Sequence, residues 1–197
     1  MSLRFAPEPP GGSTIVRGGL GRLAARPQRP AALKALDVHA LTLSAPHAVY
    51  DLRADEISRG GGLETAHRTG FRYIVSAEGG AVAAAEVHTD NKGAATLLAN
   101  VNYGPFVEAT ARGLGQLATQ DQVRAGAFEV RLLRFSAIAV MALWLKSDSG
   151  GADLIYPLAP VPEELQGERV YSVSDFLNAI RPIAQTRTAS EGSNAVP

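Results

Sequence analysis

The chain contains no cysteine. A disulfide framework, a thiolate metal site and a cysteine nucleophile are excluded together. Lysine is confined to Lys34, Lys92 and Lys146, leaving sixteen arginines among the 19 basic residues. None of the three lysines follows a G-x-x-x-x-G pattern, so no P-loop exists. The longest purely apolar run, Ala137 to Leu145, is nine residues. A membrane-spanning helix needs roughly 20. The first twelve residues hold no apolar stretch of the kind a secretory leader requires. A cytoplasmic protein without a membrane span is expected. The preference for arginine, with abundant alanine, is the habit of GC-rich bacterial genomes.

What is present suits one domain with tails. The 197 residues are 46% hydrophobic and 19% charged, enough apolar material for a real core. The net charge is zero, but the halves differ. Residues 1–36 carry Arg4, Arg17, Arg22, Arg26, Arg29 and Lys34 against Glu8 alone, a balance of +5, which leaves −5 on the rest. The acidic body argues against nucleic-acid binding by bulk charge.

Prolines 7, 9, 10, 27 and 30 and glycines 11, 12, 18, 19 and 21 fall in the first thirty residues. That composition predicts an irregular basic arm over 1–30. A single domain is expected over 31–185 and a loose, polar tail over 186–197. Within the domain, Ala31 to Leu36 reads as a short helix. Val38 to Ser44 and His47 to Leu52 read as strands. Phe71 to Ser76 alternates with period two, Gly79-Gly80 supplies a turn, and Ala81 to His88 returns. Ala83 and Ala85 leave room for a helix to approach. A helix is expected from Pro105 to about Thr119, with Val107, Ala111, Leu114 and Ala118 as its apolar stripe. Phe128 to Phe135 and the run Ala137 to Leu145 read as strands, the second buried on both faces around Trp144. Asp153 to Leu158 follows, then a helix capped by Ser174 and ended or kinked by Pro182. The fold class that results is α+β: a largely antiparallel sheet with two or three packed helices and an irregular N-terminal arm.

Several motifs compete for function. Gly19 to Ala24 and Gly113 to Ala118 both fit G-x-G-x-x-A, but a dinucleotide site needs a strand before the glycines and a full helix after them. The four histidines, His39, His47, His67 and His88, form no H-x-x-x-H pair. Asp148-Ser149-Gly150-Gly151 resembles the nucleophile segment of chymotrypsin-like serine proteases, and the order His67, Asp90, Ser149 suits that family. Ser147 stands where the family has glycine, and Ala152 where it has proline. The same four residues make an ordinary hairpin loop, and the reading taken is that Ser149 is a loop residue.

No catalytic, metal or cofactor site is therefore assigned. The leading expectation is a non-enzymatic interaction or assembly module. Its basic N-terminal segment, through Arg17, Arg22, Arg26 and Arg29, docks on a protein partner or another copy. Leu3, Phe5, Ile15, Val16, Leu20 and Leu23 lie among those arginines and could bury on the neighbour. The alternative is a small enzyme or ligand-binding module, with a serine hydrolase around Ser149 as its weakest form.

Overall fold

The structure, a computed structural model, describes residues 3–26, 28, 37 and 40–193. In chain order these form β1 (Leu3–Phe5), α1 (Gly12–Ala24), β2 (Thr42–Asp51), α2 (Ala54–Ser58), β3 (His67–Ala77), β4 (Gly80–Thr89) and β5 (Ala95–Asn102). Then come α3 (Pro105–Thr119), α4 (Asp121–Arg124), β6 (Phe128–Phe135), β7 (Val140–Ser147), β8 (Leu154–Pro157), β9 (Tyr171–Ser172) and α5 (Val173–Ser193).

The nine described strands form one sheet in the order β5-β4-β3-β2-β6-β7-β8-β9, with β1 alongside β6. β1 and β2 run parallel to β6, and the other described pairings are antiparallel. The expected α+β architecture with a largely antiparallel sheet is the one found.

Register decides what each face buries, because neighbouring residues of a strand point to opposite sides. On one face Phe71, Tyr73, Val75, Ala83 and Ala85 pack against Val16 and Leu20 of α1. Farther along that face Leu133, Trp144 and Ile155 pack against Phe176 and Ile180 of α5. The opposite face carries Leu132, Leu143 and Tyr156 under Ala109 and Leu117 of α3, with Ile74 and Ala84 under Val107. The small side chains of β4 thus admit a helix on each side, α1 over Ala83 and Ala85 and α3 over Ala84. Of the apolar run expected as a strand over Ala137 to Leu145, the part from Val140 falls in the interior strand β7, whereas Ala137 and Ile138 lie in a short 3-10 turn and Ala139 takes positive φ.

The structure corrects several expectations. The described part of residues 1–30 is not an irregular arm: β1 pairs with β6, and α1 buries Val16 and Leu20 completely. Tertiary packing overrides the poor helix propensity of four glycines. The polar stretch from residue 186, expected as a tail, is helical as far as Ser193, since α5 continues through Pro182. Its cap is Ser172 rather than Ser174, whose place is taken because Ser172 Oγ accepts the Asp175 N–H at 3.1 Å. The two strands foreseen over 38–52 are one strand, β2, with a register break between Ser44 and His47. The hairpin turn lies at Glu78-Gly79, both at positive φ, one residue earlier than expected. The buried line of α3 is Val107, Ala109, Thr110, Gly113 and Leu117, so Ala118 points to solvent. Strand β5 and helix α2 were not foreseen. The helix expected at Ala31 to Leu36, together with Arg29 and His39, lies outside the described residues.

Candidate functional site

Helix α1 lies along β5, the last strand of the sheet. Pro10 O accepts the Ala95 N–H at 3.0 Å at one end. Farther along, Gly19 rests on Leu98 so closely that a Cβ there would sit 2.3 Å from Leu98 Cδ2. Helix and strand therefore advance in the same direction, and glycine is what lets them touch.

A groove of about 830 Å³ opens between them, with Ile15, Gly18, Arg22, Leu23 and Arg26 on the helix side and Thr96 to Val101 on the strand side. Its volume is within the range of ligand clefts. Leu97 is 51% exposed. Tyr103 also lines the groove, and its hydroxyl is buried without a hydrogen-bond partner. Among the described residues no strand pairs with the outer edge of β5.

The four arginines expected to meet a partner have different fates. Arg22 and Arg26 are exposed and line the groove one helical turn apart. Among the described residues neither meets a carboxylate. Arg17 instead donates from Nη1 to Leu41 O at 3.0 Å and braces α1 against the segment before β2. Arg29 lies outside the described residues. A fifth, Arg4, lies 2.9 Å from Glu129 and makes a two-pronged contact with Asp148. The Arg4 guanidinium holds the Asp148 carboxyl below the usual carboxylate range.

The opposite face of the sheet carries a row of charges that sequence reasoning missed. Arg134 Nε donates to Asp51 at 2.7 Å, and its Nη1 donates to Glu86 at 3.0 Å. Asn102 donates to Glu86 at 3.2 Å, and Arg72 Nε lies 3.9 Å from the same carboxylate. Arg72 and His47 are fully buried. Among the described residues Arg72 Nε and Nη2 and His47 Nε2 have no hydrogen-bond partner. Burial, with the Arg72 charge adding to it, holds His47 down to about 4, although the Ala45 carbonyl 2.6 Å from Nδ1 opposes the shift. The void beside Glu86 and Arg134 is about 30 Å³. A void of that size admits water but no substrate, so the row braces strands rather than cradling a substrate. Its one sequence signal was a charged residue set between apolar neighbours, as Arg72 is between Phe71 and Tyr73.

The residues of the protease-like order do not converge. His67 begins β3 and pairs with Asp51, which aligns with Arg134 and through it with Met141 at the start of β7. Ser149 follows the far end of β7, beyond Ser147. The two ends are separated by roughly 20 Å along the strand. His67 Nε2 lies 3.1 Å from Glu56, and Asp90 Oδ1 accepts the backbone N–H groups of Lys92 and Ala94. Both G-x-G-x-x-A segments lie inside helices, α1 and α3, where no phosphate-binding turn forms.

The chain matches no protein-family model, no curated protein and no solved structure. Among the described residues no three histidine, aspartate or glutamate side chains are placed to hold a metal. No described helix is long and apolar enough to cross a membrane.

Proposed function

We propose that this protein is a non-enzymatic interaction module of the bacterial cytoplasm that docks a protein partner in the groove between α1 and β5. The observation that carries this reading is the coincidence of three features in one place. Two arginines that meet no carboxylate among the described residues, an exposed leucine and a strand edge that no described strand covers all border the same groove. Charged rims steer and select partners, while apolar surface and unpaired backbone supply affinity. The basic N-terminal segment is thus the docking element, acting as an ordered helix rather than a loose arm.

The groove is tested by selection from a displayed library of random peptides. The intact protein should enrich a family of peptides. The Arg22→Glu/Arg26→Glu/Leu97→Lys variant should not retain them. Enrichment of nothing, or equal retention by the variant, would remove the groove as a docking site.

A further inference from the structure

We infer that the groove takes an extended acidic segment of a partner, added as a new strand on β5, with two carboxylates at alternate positions. This rests on the interaction-module reading above and specifies its ligand.

The strand supplies the first argument. β5 contains no charged residue and no proline, the side chains that usually blunt a sheet edge. Its pairing with β4 shifts register twice, between Glu86 and Val87 and between His88 and Thr89. Asn100 to Asn102 is the longest stretch left in regular pairing, opposite Glu86 to Ala84. An added strand therefore finds its regular partner there.

The helix supplies the second. Because α1 and β5 run in the same direction from the Pro10–Ala95 contact through Gly19 and Leu98, the next turns of α1 flank that regular stretch. Arg22 lies in the last turn of α1, and Arg26 follows two residues past its end at Ala24, where the αR backbone of Ala25 and the Arg26 N–H to the Leu23 carbonyl at 3.2 Å continue the helical path. Four helical residues rise about 6 Å, and two strand residues span about 6.6 Å. Carboxylates at positions i and i+2 of an extended segment thus match the spacing of the two arginines, whereas adjacent acids point to opposite faces.

Charge also decides against a second copy in the same place. α1 holds no acidic residue. A two-fold pairing of β5 with its equivalent would set the two arginine stripes on one face beside each other, and like charges repel.

The experiment uses the full chain and capped octapeptides of alternating valine and threonine that carry two glutamates. Binding is read by fluorescence anisotropy and backbone pairing by amide hydrogen exchange. The peptide with glutamates at i and i+2 should bind at least about tenfold more tightly than one with adjacent glutamates. Arg22→Glu/Arg26→Glu should remove that preference. N-methylation of alternate peptide amides should abolish binding, and the amides of Asn100 to Asn102 should exchange more slowly in the complex. Binding that ignores N-methylation and leaves β5 exchange unchanged would overturn strand addition while leaving the interaction module intact. Slow β5 exchange without peptide, with a doubled sedimentation mass, would give the edge to a second copy and overturn the inference. If neither peptide binds, the inference fails, and the library selection decides separately whether the groove docks other sequences.

Discussion

His47 is the residue whose environment has the clearest consequence in solution. It is fully buried on β2, opposite Arg72, and its acidity is set near 4 against an ordinary value of about 6.5. A depressed value on a base means that the unfolded chain takes up the proton first. Between about pH 6.5 and pH 4 the unfolded state binds more protons, so stability falls as the pH drops through that window. The shift corresponds to at most about 3–4 kcal/mol at 1.36 kcal/mol per unit. Urea unfolding at pH 7.5 and pH 4.5 should show this loss, and His47→Gln should remove most of the slope. An unchanged slope in the variant would place the acid sensitivity in the carboxylates instead. Nothing in the sequence marked this position. The sequence reads His47 as the start of a strand, and only the register opposite Arg72 turns it inward on the face that α3 covers.

Helix α1 shows at the scale of an element why the N-terminus was misread. Its glycines and flanking prolines are breakers when judged locally. In the fold, Gly12 and Gly19 are the points where the helix meets Tyr73 and Leu98, so the same residues are packing devices. Strand β5 was missed for a related reason. Its two register shifts bring Ala95, Leu98 and Val101, spaced three apart, to the face under α1 and so break the period of two on which strand reading depends. By contrast β3, β4, α3, β6 and β7 were legible in position, β3 by alternation, β7 by its apolar run and α3 by Pro105 at its start, although the buried line of α3 is not the stripe expected. The groove therefore falls between the two elements that were least readable, while its arginines stood out by charge alone. Val16 and Leu20 are fully buried, and each contributes about 1.5–3 kcal/mol. Removing residues 1–25 should cost at least about 3–6 kcal/mol by that measure, against a typical total of about 5–15. A truncated chain should show no cooperative thermal transition by circular dichroism. If it melts like the full chain, α1 is an appendage and the groove is not a fixed feature of the fold.

Across the whole molecule, the +5 and −5 division of charge does not survive as two opposed surfaces. Arg4 is spent on Asp148 and Glu129 within the chain, and Arg17 on the Leu41 carbonyl. Arg134 is likewise enclosed by Asp51 and Glu86, and Arg112 is held by Glu168. In the described part of the basic segment, Arg22 and Arg26 are what remains for a partner. Two cations make a local patch, not a polyelectrolyte surface. Proteins that hold duplex DNA through six to ten phosphates lose about 10³–10⁵ in affinity between 50 and 200 mM salt. With about two contacts the corresponding slope of log K against log salt is near −2. The acidic octapeptide, whose two carboxylates condense no counterions, should depend on salt no more steeply than that, because its charge pairs are merely screened and strand pairing is insensitive to salt. A labelled 20-base-pair duplex should show no retention at 150 mM salt. A steep slope, or tight binding of the duplex, would move the partner from an acidic protein segment to nucleic acid, with the groove serving a phosphate backbone instead.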